Sequence, residues 1–266
     1  MLRNIFIIFI LLYSFSLFSN TTSNLYNDGL KYLENGEYEK SIELFNQVII
    51  NDPNNKIVYD KIGFAFQKLK KFDKAKEFYE KYIILNNNEY QWDDTKFLEK
   101  GLYDKSISNL MKTLIVQKGN LDAMYVLASA YYLNEDYKES YKTFKEIINI
   151  YPNEYISRYV GLLIVSKYIS DELYNNTKNY LNEIKLKYNK RSQENYILKF
   201  FLDEINIKMF KRYNIKEKNF YIAYKYLLNS DKKNTIKYFN LYLKTSTHNL
   251  MLDIAKGELK RLNSKQ

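Results

Sequence analysis

Residues 29–53 read GLKYLENGEYEKSIELFNQVIINDP, and the pattern in this stretch returns along the first half of the chain. Tyr38 is followed after three residues by a small side chain and after seven by a large apolar one. Matching aromatic residues stand at Phe72, Tyr103 and Tyr137, at spacings of 34, 31 and 34 residues. A recurrence with this period predicts stacked units, each made of two helices, that bury their apolar faces only against one another.

Small side chains stand at fixed distances from each aromatic. Those three residues after it are Ser41, Ala75, Ser106 and Ser140, and those nine before it are Gly29, Gly63, Asp94 and Ala128, of which Asp94 departs from the pattern. Pro53 and Pro152 each follow their aromatic by 15 residues, where a proline ends a helix. We expect the two helices of a unit to pack closely where the side chains are small.

These joint spacings resemble the tetratricopeptide repeat, a 34-residue helix–turn–helix unit. The resemblance covers residues 22–154 as four repeats, of which the third is aberrant because it is three residues short. It implies an all-α solenoid of stacked helix–turn–helix repeats. The family's usual role is non-enzymatic protein binding, through an inner face formed by the first helix of each repeat.

Residues 155–266 keep a helical pattern with looser spacing, which predicts degenerate repeats that continue one solenoid of about 14 helices. Four helices are expected in the later part of this segment: one long helix over 191–212, a helix pair over 220–228 and 236–243, and a C-terminal capping helix over 250–262. The side chains expected to face inward are Tyr196, Phe200, Ile207 and Phe210 on the first, Ala223, Thr235 and Phe239 on the pair, and Leu252, Leu259 and Leu262 on the last.

The first residues, MLRNIFIIFILLYSFSLFSN, have the three parts of a secretory signal. Arg3 gives a positive start, residues 5–12 are an unbroken apolar run, and small serines follow. We therefore expect residues 1–19 to be a signal peptide, with a retained N-terminal anchor as the alternative. The apolar stretch is shorter than the roughly 20 residues that span a bilayer, which favours cleavage. Either reading predicts an exported protein, periplasmic or associated with the cell envelope.

The composition excludes several classes of catalytic site. The chain has no cysteine and one histidine, so it offers no thiol nucleophile and no multi-histidine metal site. It also lacks the motifs that bind nucleotides, activate a serine or hold zinc. His248, Asp93–Asp94 and Asp203–Glu204 are more consistent with caps and solvated edges than with acid–base pairs. We expect no catalytic residue, no metal and no cofactor.

The positive charge is concentrated in the second half. Residues 155–266 carry 22 basic and 10 acidic side chains, whereas residues 22–154 carry 18 and 21. A solvated lysine surface explains this surplus, and so does attraction to anionic lipid or wall polymer. Nucleic acid is the weakest reading, because the chain has no base-reading element.

The resemblance implies a partner-binding groove along the inner face of the first helices. Its positions are aromatic or neutral and lack the basic residues that grip a terminal carboxylate, so they suit the apolar anchors of a peptide or a helix. The groove residues are Tyr26, Leu30, Asp60, Phe64, Gln67, Tyr125, Ser129 and Tyr132. The sequence therefore predicts a protein-binding scaffold or adaptor of the bacterial envelope. The alternative is an envelope-docking module that binds anionic lipid or wall polymer through residues 155–266.

Overall fold

The structure is a computed structural model that describes residues 21–88, 97–98, 100–151, 156–215, 217–246 and 250–264. Every regular element in these ranges is helical, which confirms the predicted all-α class. The chain divides into two compact units, residues 1–91 and 92–266. The boundary predicted from the sequence, between residues 154 and 155, falls inside the second unit.

The first unit contains two helix pairs in its described residues. Its helices are α1 (21–34), α2 (Tyr38–Asn51), α3 (Lys56–Lys68) and α4 (Phe72–Leu85). Gly36 supplies a turn residue with φ of +81° between α1 and α2, a conformation that costs little only for glycine. The predicted pairing of a first and a second helix in each repeat is confirmed here.

Close contact between paired helices depends on two glycines. A Cβ added to Gly29 would lie 2.6 Å from the ring of Phe45, and one added to Gly63 would lie 2.6 Å from the ring of Tyr79. Ser41 strengthens the first contact, because its hydroxyl donates a hydrogen bond of 2.9 Å to the Gly29 carbonyl. The small positions read from the sequence are therefore the points where a large ring of the second helix lies on the backbone of the first.

The second unit contains ten further helices in its described residues. They are α5 (Tyr103–Val116), α6 (Leu121–Leu133), α7 (Tyr137–Ile150), α8 (Ser157–Ile169), α9 (Asp171–Lys185), α10 (Gln193–Phe201), α11 (Ile207–Phe210), α12 (Lys218–Leu228), α13 (Lys232–Thr245) and α14 (Leu250–Ser264). Most of the first helix expected for the third repeat lies outside the described residues, although Phe97 and Leu98 are helical.

The repeat register continues through this unit. Ser140 donates a hydrogen bond of 2.6 Å to the carbonyl of Ala128, twelve residues earlier, as Ser41 does to Gly29. The predicted pair near the C-terminus is confirmed as α12 and α13. Its small contacts and its large apolar residue, Ala223, Thr235 and Phe239, are all fully buried.

The long helix expected over residues 191–212 is wrong, because the structure has two helices there. The backbone breaks after α10 where Asp203 adopts a left-handed φ of 65°, and α11 begins after Asn206, whose side chain accepts a hydrogen bond from the Met209 N–H. The shared face was nevertheless predicted correctly, since Phe200 and Phe210 are buried and their rings stack with centroids 4.0 Å apart.

The C-terminal helix α14 does more than cover the last pair. It packs against α13, as a capping helix does, and also against α6, which precedes it by more than a hundred residues. Its buried face is formed by Leu252, Ile254, Ala255, Gly257, Glu258 and Arg261. The predicted inward residues Leu259 and Leu262 are only half-buried, because contact on two sides turns a different face of the helix inward.

Among the described residues, no helix has both the length and the apolar character that a membrane span requires. The segment in which the sequence predicts a signal peptide, residues 1–19, lies outside the described residues.

Candidate functional site

The predicted inner face of the first unit runs along α1 and α3. Tyr26, Leu30, Asp60 and Phe64 are half-buried, so each keeps some surface toward solvent, whereas Gln67 is buried. The Gln67 side-chain oxygen accepts a hydrogen bond of 3.0 Å from the Tyr79 hydroxyl. Four of the five predicted positions in this unit are therefore accessible to solvent. The fifth, Gln67, is buried and hydrogen-bonded to the core residue Tyr79 of the same repeat.

Ile57 extends this inner face by one turn of helix. It precedes Phe64 by seven residues on α3, which places both side chains on one side of that helix. Ile57 is 51% exposed, a large fraction for an isoleucine in a folded unit. The helical periodicity of α3 identifies this position, although the repeat register does not name it.

Asp60 gives the inner face of the first unit its negative charge. Burial raises the pKa of Tyr26, and the carboxylate of Asp60 raises it further. The pKa of Tyr82 on α4 is raised by the same two causes in the same order. The charge of the Asp60 carboxylate therefore acts on two tyrosines of this unit.

The inner face of the second unit is covered by its own chain. Tyr125, Ser129 and Tyr132 share one side of α6, as the register predicts. Tyr125 is half-buried, whereas Ser129 and Tyr132 are only 4% and 3% exposed. Helix α14 packs against α6 on this side, so a helix already occupies part of the predicted groove.

Tyr132 joins α6 to a buried ion pair on α14. Arg261 donates two hydrogen bonds to Glu258, from Nη2 to Oε1 at 2.6 Å and from Nε to Oε2 at 3.0 Å. The Tyr132 hydroxyl accepts from Arg261 Nη2 at 3.1 Å and donates to Glu258 Oε1 at 3.1 Å. Glu258 is fully buried and Arg261 is 6% exposed. The closed network compensates two charges that burial alone would make costly.

Aromatic rings complete the surroundings of Arg261. Its guanidinium carbon lies 5.2 Å from the centre of the Tyr132 ring and 5.7 Å from that of Tyr168, both within range of a cation–π contact. The Tyr168 ring stacks on Tyr137, with centroids 4.9 Å apart. A cluster of three tyrosines therefore holds the single arginine of α14.

Gly257 allows α14 to approach α6 closely. A Cβ added there would lie 2.8 Å from Cδ1 of Leu133 and 3.4 Å from the carbonyl oxygen of Leu98. The Tyr103 hydroxyl donates a hydrogen bond of 2.9 Å to the Gly257 carbonyl, and Lys260 donates one to the carbonyl of Lys100. We call the residues that hold α14 its seat; they are Leu98, Lys100, Tyr103, Tyr132 and Leu133. The seat is specific in shape and in hydrogen bonding.

A small cavity lies beside this seat. Its wall includes Tyr125 from α6, Phe144 from α7, Phe220 and Tyr224 from α12, and Ile254 from α14. Burial raises the pKa of Tyr125 to about 12, against the opposing effect of a hydrogen bond with Ser157. The lining is almost entirely apolar and aromatic, which suits packing rather than chemistry.

The residues weighed for catalysis have structural partners or lie outside the described ranges. Asp203 pairs with Lys225 at 2.6 Å and Lys178 at 3.0 Å, and Glu204 pairs with Lys185. His248, Asp93 and Asp94 lie outside the described residues. Within the described ranges, no three His, Cys, Asp or Glu side chains come together as metal ligands.

Sequence reasoning missed Glu258 and Arg261, which carry the contact between α14 and Tyr132. Both entered the sequence analysis only as part of the charge totals of residues 155–266. Their spacing of three residues places them on one side of a helix, which was a usable signal. Nothing local to residues 250–264 indicates that this side faces α6.

Family models described as tetratricopeptide repeat match the chain at residues 58–89 and 122–154. Among curated proteins, none matches. A tetratricopeptide repeat protein from Parabacteroides merdae is 14% identical, with 92% of this chain and 99% of that chain covered and a TM-score of 0.36. The C-terminal part of a repeat-containing protein from Cytophaga hutchinsonii is 18% identical, with coverages of 86% and 98% and a TM-score of 0.30. A MamA protein is 20% identical, with coverages of 65% and 94% and a TM-score of 0.30.

Proposed function

This chain is a tetratricopeptide repeat protein with a matched repeat in each of its units, and we propose that it is a scaffold that binds other proteins through the inner faces of its first helices. One observation carries the proposal: α14 lies against the inner face of α6 and is held there by side-chain and backbone contacts. A helix that lies on the inner face of α6 supports the proposal that such faces bind helices.

The partner site of the proposal is the inner face of the first unit. Ile57 and Phe64 offer apolar anchor points, and Asp60 between them offers a carboxylate. A helix or peptide with an apolar residue on either side of a basic one would complement this row, because the charges attract while the apolar surfaces are removed from water. Tyr26 and Leu30 extend the same face on α1.

Capture of partners from the native cells tests this site. Tagged wild-type protein, crosslinked mildly, is compared with the variant Ile57→Ser with Phe64→Ala. We expect the variant to lose a protein partner that the wild type retains at high salt. The matched control is Ile84→Ser, which removes an isoleucine that is 61% exposed on α4, a second helix. If the Ile57→Ser, Phe64→Ala variant and the Ile84→Ser control both retain every partner of the wild type, the inner face of the first unit is excluded as the partner-binding site.

Export to the cell envelope is part of the proposal, supported by the signal-like residues 1–19. Small serines follow the apolar run, so cleavage after Ser16 or Ser19 is expected. N-terminal sequencing of the protein from fractionated cells measures this directly. A chain that begins at residue 1 in the envelope fraction would favour the anchor, and one confined to the cytoplasm would exclude export.

The charge of residues 155–266 supports a second candidate function, docking on an anionic surface. Vesicles with and without anionic lipid give the test, at low and at physiological salt. Electrostatic docking requires binding only to the anionic vesicles and a steep loss with salt. Binding that ignores lipid charge, or no binding at low salt, removes this candidate.

A further inference from the structure

We infer that α14 is a built-in, displaceable ligand of the second unit, which closes the inner face of α6 until a partner helix of similar chemistry takes its place. The inference rests on the proposed function in one respect, namely that inner faces are binding faces. It adds the regulation of the second face and the chemical pattern of the helix that this face accepts.

The seat of α14 has the features of a recognition site. A small residue, Gly257, allows close approach, and Tyr103 holds its carbonyl. Glu258, one residue later, accepts a hydrogen bond from the Tyr132 hydroxyl. Arg261, three residues after Glu258, makes a cation–π contact with the Tyr132 ring. The accepted pattern is therefore a helix with a small residue followed by an acid and then, three positions on, an arginine.

The contact is also one that can exchange. Its centre is an ion pair and a tyrosine hydroxyl, and such buried charged contacts give specificity with little net stabilisation over the separated, hydrated groups. Helices α6 and α7 pack on each other, as α12 and α13 do, through contacts that do not involve α14. Tyr168 is already 37% exposed beside the seat.

A partner helix would have to compete with α14 for this face. When the competent state is a minor one, the apparent affinity for a ligand falls by the fraction that is open. A face that is open about 1% of the time would bind its partner about 100-fold more weakly than an open one. Loosening α14 should therefore strengthen binding in trans.

The probe that tests this inference is a labelled synthetic peptide with the sequence of residues 250–264. Its binding to the full-length chain is measured by fluorescence anisotropy. The releasing variant is Arg261→Glu, which places a second carboxylate beside the buried Glu258 and disfavours the seated helix. We expect it to bind the peptide at least about 10-fold more tightly than wild type. The control Lys244→Glu makes the same charge change on an exposed residue of α13 and should leave the affinity unchanged.

A reversible lock keeps the test independent of any folding defect. The chain has no cysteine, so Leu133→Cys with Gly257→Cys introduces a single pair. A Cβ added at position 257 would lie 2.8 Å from Cδ1 of Leu133, and Leu133→Cys removes that atom and places a sulfur near the new Cβ. The oxidised form should not bind the peptide, and reduction should restore wild-type binding. As a check on the pattern, a peptide with Gly257→Ile should bind poorly, whereas one with the exposed Asn263→Ala should bind normally.

Two results would overturn the inference. Equal peptide binding by the oxidised and reduced forms would place the peptide elsewhere. No binding by either the reduced form or a folded Arg261→Glu variant would make α14 a permanent part of the core. Neither result would contradict the proposed function, because the partner-capture experiment with Ile57 and Phe64 tests the inner face of the first unit.

Discussion

The Tyr132 hydroxyl and the guanidinium of Arg261 lie 3.1 Å apart across 129 residues of sequence. Tyr132 belongs to the repeat region that the sequence identifies, whereas Arg261 belongs to the last helix. Their contact turns a predicted open groove into a seat for α14. The face is formed by a repeat helix and is covered by another helix of the same chain.

Removing one member of the buried Glu258–Arg261 ion pair should lower the free energy of unfolding more than removing both members. Arg261→Ala leaves Glu258 without its partner, so we expect a loss in the free energy of unfolding that release of α14 keeps below the about 3–5 kcal/mol typical of a charge that stays buried. The double variant Glu258→Ala with Arg261→Ala removes both charges and should lose less. Urea unfolding at neutral pH measures all three proteins. Lys40→Ala, at an exposed pair with Glu37, serves as the surface control and should leave stability unchanged. A double variant less stable than Arg261→Ala would contradict the role given to the ion pair.

Gly63→Ala should destabilise the first unit, although alanine is the better helix former by about 1 kcal/mol. The new Cβ would lie 2.6 Å from the Tyr79 ring, which is fully buried and tied by its hydroxyl to Gln67. Overpacking of this kind costs about 1–3 kcal/mol. Tyr79→Leu removes the clash, so the two changes together should cost less than their sum. A melting temperature raised by Gly63→Ala alone would show that helix propensity outweighs the contact.

The repeats could be predicted from the sequence because their contacts are local. Gly29 meets Phe45 sixteen residues later, and the same interval joins Gly63 to Tyr79. Contacts at a fixed interval leave a periodic trace, so helix pairing and the small positions were predicted correctly. Ala223 and Phe239 repeat the interval near the C-terminus, where the fold again matches the expectation.

The covering of the second inner face could not be predicted in the same way. Contacts between α6 and α14 join residues more than a hundred positions apart and occur once, so they leave no period. The break after α10 had a local cause, the left-handed Asp203, but aspartate adopts that conformation only in some contexts. The inner-face residues thus remain a prediction as partner contacts, although the structure places each of them.

Stability should fall as the pH rises from about 10 to 12. Burial raises the pKa of Tyr159 to about 12, and the pKa of Tyr137 is raised to about 12 by the same main cause. In this window the folded chain keeps protons that the unfolded chain loses, so alkali favours unfolding. Thermal melts between pH 8 and 12 measure the loss. Tyr159→Phe should be less sensitive to alkali than wild type, and an identical pH profile for the two proteins would contradict the assignment.

Asp203→Asn should lower the free energy of unfolding at neutral pH by about 1–3 kcal/mol. The change removes the carboxylate charge that pairs with the ammonium group of Lys225, a residue that is only 6% exposed. Asparagine tolerates the left-handed backbone, so the turn itself should survive. Burial acts to raise the pKa of Asp203, but hydrogen bonds from Lys225 and Lys178 outweigh it and hold the pKa below its usual value. The stabilisation is therefore present above the usual aspartate pKa near 4 and is lost as the pH falls below it. Urea unfolding from pH 7 to 3 should show the gap in the free energy of unfolding between wild type and variant closing at the acidic end.

The control is Asp171→Asn, at an exposed pair with Lys167, which should show a much smaller gap at every pH. A gap for Asp203→Asn that stays constant down to pH 3 would mean that the carboxylate charge has no part in holding Lys225.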